Sequence, residues 1–303
     1  MPEKPTIPLL VALFGLLLAS CGGPLTPAAT ATPPEPTATP IPPTPTSLPA
    51  AALVNGQPIL MMDYQAELER YRQAQAALGT ELATNDKAEQ VVLEALIDLE
   101  LLAQEASRRG TELTDEALSQ EIDRLTEAAG TSENAGAWMA QQGYDLASLR
   151  RAVRRQFLAQ QTVQRLADEV PAELEQVQAR HILVSDRDLA ESLRQQLEEG
   201  ADFGELALEY SMDLSTRIDG GNLGWFPKGV LTQETVEEAA FELEPGQLSP
   251  VIESDLGYHL VEVQDRSLRQ LTANDWRTLR QQAVEQWVQE TRQEASVEIL
   301  IEF

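Results

Sequence analysis

Cysteine occurs once in this 303-residue chain, at Cys21, so no intrachain disulfide can form. Histidine occurs twice, at His181 and His259, too few to build a histidine metal site, and no metal is expected. Aromatic residues make up only 5%, so the cores have to be assembled from aliphatic side chains, chiefly on long helices. Basic residues are scarce too: 22 Lys and Arg stand against 49 Asp and Glu, a formal net charge of -27. With no basic surface to neutralise phosphates, nucleic acid is excluded as a partner. Contact with basic, unfolded or cationic partners is compatible with that charge.

One stretch, Ile7 to Leu18, is almost continuously apolar. It has the length of a signal h-region and is short for a membrane span. It runs into Leu18-Ala19-Ser20-Cys21-Gly22. This resembles a bacterial lipobox, which implies a signal peptide over residues 1–20 and a lipid-modified N-terminal Cys21. The competing reading is a chance cysteine behind an uncleaved anchor. Two or more acyl chains, palmitate among them, would hold the protein stably on a membrane. Residues 21–50 are then mostly Pro, Thr and Ala. Proline blocks helix and nothing there can form a core, so this is an extended tether of roughly 80–90 Å if polyproline-like. Anchor and tether together place the globular part outside the cytoplasm, on the extracellular or periplasmic face.

Residues 51–178 read as a first, mainly helical region. Asn55-Gly56 between two apolar triplets is a hairpin signal. Asp63 is positioned to cap a helix carrying Leu68 and Tyr71. Val91, Val92, Ala95, Leu96, Leu99, Leu102 and Ala106 form an apolar stripe that Gly110 ends, and Thr114 and Asp145 open two further helices. Gly130 closes the first of these. The stripes read as core in preference to a groove. Nothing in this region has catalytic character.

Residues 179–266 hold both histidines. A strand at His181–Val184, a helix from Asp188 to Glu198, a short helix after Phe203, a turn at Gly220-Gly221, a helix from Thr235 to Phe241, and strands at Leu248–Ile252 and Tyr258–Val263 make a small α/β module. That order suits a four-stranded sheet with helices packed on it. Its sequence words are Ala179-Arg180-His181-Ile182-Leu183, Ser211 to Asp213, Gly220-Gly221-Asn222-Leu223-Gly224-Trp225-Phe226, Ala239-Ala240-Phe241 and Gly257-Tyr258-His259. Taken jointly they resemble the parvulin (PpiC-type) peptidyl-prolyl cis/trans isomerases. The helical region, with its Val54-Asn55-Gly56-Gln57-Pro58-Ile59 opening, resembles the N-terminal domain of extracytoplasmic foldases of the SurA/PrsA type.

The resemblance implies an α+β fold: a four-stranded antiparallel parvulin sheet with helices, plus a helical chaperone domain. It implies catalytic roles for His181, Asp213 and His259, and a proline slot built from Leu223, Leu231 and Val236 with Phe241 in support. Local sequence leaves open that Asp213 only caps a turn at Leu214-Ser215. Val236 stands where the family has a bulky aromatic, and Thr232 where it has Met, so the slot is expected to be wide or shallow. Arg187 alone makes a poor phosphate clamp, which excludes phospho-specific recognition. No cofactor is expected, because rotating an X-Pro bond requires no metal and no proton transfer. The expected partners are unfolded or newly exported polypeptides containing X-Pro bonds.

Residues 267–303 supply a helix from Asp275 to Glu294, with Trp276, Leu279, Ala283, Trp287 and Thr291 near one face, and an alternating segment from Ser296 to Phe303. Neither has a partner inside the parvulin module, and in the foldase arrangement such a tail returns to complete the N-terminal domain, where the tryptophan face is expected to close the helical core. The expected activity is prolyl isomerisation and assisted folding of exported proteins. A weakly catalytic holdase and an envelope-assembly scaffold are the alternatives.

Overall fold

The computed structural model describes residues 48–78, 85–128 and 135–303. The signal segment, Cys21, most of the tether and the helix end at Gly130 lie outside the described residues. The chain divides into two units, one formed by the segment up to Arg165 together with Glu285–Phe303, the other by Leu166–Val284.

In the first unit, β1 (Ala50–Val54) and β2 (Gln57–Leu60) form the hairpin. Its two-residue turn needs a positive φ at both positions, and Asn55 and Gly56 supply 51° and 78°. The other edge of β1 takes β7 (Val297–Ile299), with Ala52 opposite Ile299 and Val54 opposite Val297. Asn55 holds this return: its N–H donates to the Ser296 carbonyl at 2.8 Å and its Oδ1 accepts from the Ser296 N–H at 3.0 Å. The helices are α1 (Met61–Leu78), α2 (Asn85–Arg108), α3 (Asp115–Ala128), α4 (Ala135–Gln141) and α5 (Leu146–Asp168). Ile59, Tyr64, Leu68, Val92, Leu93, Leu96 and Leu101 bury one core against the hairpin, and Leu118, Ile122, Leu149 and Val153 bury another.

Two sequence expectations change here. Asp63 does not cap α1, which already begins at Met61, where an N–H donates to the Pro49 carbonyl. Its carboxylate instead receives both arms of Arg151, at 2.8 and 2.6 Å. In α9 (Ala273–Glu294) the buried side chains are Val284 and Val288, one step around from the tryptophan face. Trp276 stays 39% exposed and carries the Arg280 guanidinium 4.2 Å above its ring, so the large aromatic serves as a platform for a cation and not as core.

The second unit is built on an antiparallel sheet in the order β4-β3-β6-β5, comprising β3 (Glu173–Val184), β4 (Asn222–Pro227), β5 (Ile252–Ser254) and β6 (Gly257–Gln270). The sheet and its flanking helices give the α+β class expected from the sequence. β3 begins at Glu173, well before His181, because residues 173–175 pair with 268–270 of β6 as a two-stranded ribbon before β4 joins at Gln176. Polar alternation hid that strand, and its stabilisation comes from backbone pairing and from cross-strand contacts such as Arg266–Glu175. Leu248 makes only an isolated bridge, to Glu262, so the third strand is shorter than its apolar run suggested.

The alternation of β3 divides this unit into two layers. Ile182 and Val184 face α6 (Arg187–Glu198) and α7 (Phe203–Tyr210), packing with Leu193, Phe203 and Leu260. Val177 and Ala179 face the other way, packing with Phe226, Val261 and Val263 and with Val236 and Ala240 of α8 (Glu234–Glu242). Burial of Leu193 and Phe203 at 0% and 2% exposure shows that the layers are closed.

The Asn55 turn yields a stability prediction. Asn55→Ala removes the side-chain bond to Ser296 and puts alanine, which tolerates positive φ less well than asparagine, at φ 51°, so it should cost about 1–2 kcal/mol. The midpoint of urea unfolding measures this, and a midpoint equal to that of the parent protein would contradict the role given to Asn55.

Candidate active site

Past Arg180, strand β3 loses its partner β4, and the chain from 211 to 221 fills the vacated edge. The His181 N–H donates to the Gly221 carbonyl at 2.8 Å, the Leu183 N–H to Ser211 Oγ at 3.2 Å, and the Met212 N–H to the Leu183 carbonyl at 2.7 Å. The approach at Gly221 is close: with φ +81°, a β-carbon there would lie 2.2 Å from the His181 carbonyl oxygen. This explains Gly221 physically and delivers Asp213 beside His181.

Asp213 is the centre of a small network. Its Oδ2 lies 2.7 Å from His181 Nε2 and accepts from Thr216 Oγ1 at 2.7 Å. Its Oδ1 accepts from the Ser215 hydroxyl at 2.6 Å and the Ser215 N–H at 3.0 Å. Capping of the following turn and contact with the histidine are therefore made by the same carboxylate, one oxygen for each. Burial alone would oppose ionisation, but the bonds from Ser215, Thr216 and His181 outweigh it and hold the carboxyl well below the usual range. With the carboxylate ionised, His181 donates from Nε2.

His181 and His259 lie on adjacent strands, on the face that carries Val261 and Val263, with ring centroids 5.7 Å apart and planes 21° from parallel. They are 7% and 1% exposed. His259 Nε2 shares a 2.7 Å bond with Ser254 Oγ, across the tight β5–β6 hairpin. Burial, followed by the neighbouring His181, pushes His259 down to about 4, while Asp213 pulls weakly the other way. His259 is thus a neutral ring under His181, and the ionised group of the site is Asp213.

The expected slot residues gather in one place. Leu223, Leu231 and Phe241 are partly buried side chains packed against the cluster that contains Val236 and Phe226. Phe241 meets Phe226 edge-on at 6.1 Å. Val236 itself is 3% exposed and belongs to the floor of the cluster, so the accessible apolar surface is that of its neighbours. On the outer side of the network Met212, Leu214 and Ile218 are 51%, 69% and 78% exposed, giving the carboxylate an apolar surround. A carboxylate held ionised beside accessible apolar side chains can bind a hydrophobic ring and bias the charge distribution of an adjoining amide.

Sequence reasoning missed Ser254 and Thr216 as partners, while the turn cap at Ser215 was anticipated. The signal for Ser254 was its place at the mouth of the Ser254-Asp255-Leu256-Gly257 hairpin preceding His259. Among the described residues no group of three or more His, Cys, Asp or Glu side chains is arranged to hold a metal ion.

The titration of His259 follows from this geometry. Its folded value of about 4 lies below the usual value of about 6.5, so between the two the unfolded chain binds the extra proton. The stability contribution of the neutral ring is complete above about pH 6.5 and is lost as pH falls toward about 4. Ring-proton NMR across that window measures it; a His259 titrating near its usual value would contradict the arrangement.

Comparison with known proteins gives the site its context. A PPIC-type PPIase domain (rotamase) model matches residues 159–265, and a SurA-like N-terminal domain model matches residues 45–143. The foldase protein PrsA of Caldanaerobacter subterraneus subsp. tengcongensis is 32% identical over 223 residues, covering 69% of this chain and 71% of that protein. The foldase protein PrsA of Geobacillus kaustophilus is 33% identical over 184 residues, covering 58% of this chain and 62% of that one. Among solved structures, the peptidylprolyl isomerase PrsA from Bacillus cereus is similar with a TM-score of 0.46 and 24% identity, over 66% of this chain and 76% of that one. The chain belongs to the PrsA family of foldases and carries that family's PPIC-type parvulin domain.

Proposed function

We propose that this chain is a peptidyl-prolyl cis/trans isomerase and foldase that acts on unfolded, newly exported polypeptides outside the cytoplasmic membrane. The observation that carries the reading is the ionised Asp213, fixed by His181, Thr216 and Ser215, on a unit whose apolar cluster exposes parts of Leu223, Leu231 and Phe241.

The chemistry asked of the site is modest. Rotation about X-Pro is slow because it breaks amide resonance, with a barrier of roughly 18–20 kcal/mol. As the amide twists, its nitrogen pyramidalises and the carbonyl gains ketone character. A slot that grips the ring while a fixed carboxylate favours the twisted charge distribution lowers the barrier without covalent chemistry. Asp213 takes the electrostatic role. His181 orients it, and His259 supports His181 as a neutral neighbour. Helix α6 begins at Arg187, shortly after β3 ends at Val184, leaving no room for a long basic loop; this supports unphosphorylated X-Pro segments as substrates.

The delivery of this activity to the outer face of a membrane rests on the lipobox-like Leu18 to Gly22 and the Pro/Thr tether. No helix among the described residues is long and apolar enough to cross a membrane, and lipidation at Cys21 is the anchor we assign.

Two measurements test the reading. In a proline-limited refolding assay the full chain should accelerate the slow phase, and Asp213→Ala should reduce that acceleration by about 10²-fold. Equal, small acceleration by both, with aggregation still suppressed, would replace the isomerase by a holdase. Cys21→Ser should move the protein from the membrane to the soluble fraction; unchanged membrane association would refute the lipid anchor.

A further inference from the structure

Next to Val236 on α8, Glu237 is buried at 4% exposure, and among the described residues it has no ion-pair partner. Its carboxylate is satisfied by three consecutive backbone amides instead. The Gly229 N–H donates to Oε2 at 2.8 Å, and the Val230 and Leu231 N–H groups donate to Oε1 at 3.0 Å each. Three successive amides converging on one carboxylate form a nest, and charge-assisted bonds of this kind are short and directional. The carboxylate is used on the preceding loop and not on the first turn of its own helix, whose N-cap residue Gln233 makes no side-chain capping bond.

The same turn is held from its opposite side. Gln282 of α9 donates from Nε2 to the Gly229 carbonyl at 2.6 Å. Gly229 has φ +97°, and a β-carbon there would stand 3.1 Å from Gln282 Oε1 and 3.1 Å from Leu279 Cδ2. The clamped turn presents Val230 and Leu231 to the apolar cluster, and Leu231 is the one expected in the proline slot.

We propose that Glu237 is a positioning residue for prolyl isomerisation: through the amides of Gly229, Val230 and Leu231 it fixes Leu231 at the rim of the proline slot, with Gln282 locking the turn from the other side. The proposal rests on the reading of this unit as a prolyl isomerase. Leu231 grips the ring alike in the planar and the twisted amide, so loosening it weakens binding without changing the chemical step, and KM should rise while kcat holds.

The test uses the full chain and an X-Pro peptide. Glu237→Gln keeps the side-chain shape but turns an NH2 donor toward the amide donors. It should raise KM about five- to tenfold with kcat changed less than about twofold. Amide hydrogen exchange should accelerate at residues 228–232 and stay unchanged in β3. Gln282→Ala should move both readouts in the same direction by less, and Glu238→Gln, an exposed neighbour on α8, should move neither. A Glu237→Gln protein that matches Glu238→Gln, or that loses kcat with KM unchanged, overturns the proposal. If Glu237→Gln fails to fold, unchanged KM and exchange in Gln282→Ala overturn it equally. An inactive parent protein would overturn the isomerase reading and this proposal together, whereas an active parent with an unaffected Glu237→Gln would overturn the proposal alone.

Discussion

The second unit turns on one contact, between Asp213 Oδ2 and His181 Nε2 at 2.7 Å. It exists because strand β3 outruns its neighbour β4, leaving backbone groups at His181 and Leu183 that the segment 211–221 must satisfy. An unpaired buried N–H or C=O costs free energy comparable to a lost hydrogen bond, so the segment has little freedom in where it lies. Ser211 contributes a side-chain acceptor, Met212 a donor and Gly221 a close carbonyl, and Asp213 is carried in between them. The Asp213 carboxylate is thus placed by strand-edge accounting, with the histidine as its stop.

The network around Asp213 also decides its charge. Burial taken alone favours a neutral carboxyl, but four hydrogen-bond contacts on two oxygens reverse that preference. The ring below is made neutral by the same burial, because His259 has Ser254 and not a carboxylate at Nε2. One face of the sheet therefore holds an ionised group at its rim and an uncharged ring in its floor. A twisting amide needs that combination: a fixed field close by, and no competing charge behind it. The helical unit adds an independent contribution to a foldase, a scaffold closed by β7 against β1 and braced by the paired Arg151–Asp63 and Arg155–Glu100 contacts.

Much of this was readable in the residues, unevenly and for physical reasons. Asn55-Gly56 is a two-residue signal with a single conformational solution, and it holds in the structure with both φ values positive. The strands at His181–Val184 and Tyr258–Val263 followed from their apolar runs, and their antiparallel pairing is what the parvulin resemblance implied. The ribbon at 173–175 was not readable, because its stability lies in backbone pairing between mostly polar strands, which leaves no apolar pattern. The buried face of α9 was misjudged because tryptophan looks like core in a sequence, whereas Trp276 lies under a cation and two valines do the packing. His181, Asp213 and His259 stood out by type and setting. Ser254, Thr216 and Glu237 did not, since a serine, a threonine and one glutamate among many acids acquire meaning only once the chain brings amides or a ring nitrogen to them.

The central claim is that the field of an ionised Asp213, and not its shape alone, accelerates rotation about X-Pro. Exchange spectroscopy of an X-Pro peptide with the full chain and with Asp213→Asn measures this, because asparagine keeps the size of the side chain and removes its charge. The account predicts that Asp213→Asn binds the peptide with nearly the parent affinity but exchanges cis and trans at least about tenfold more slowly. Exchange by Asp213→Asn as fast as by the parent protein would contradict it.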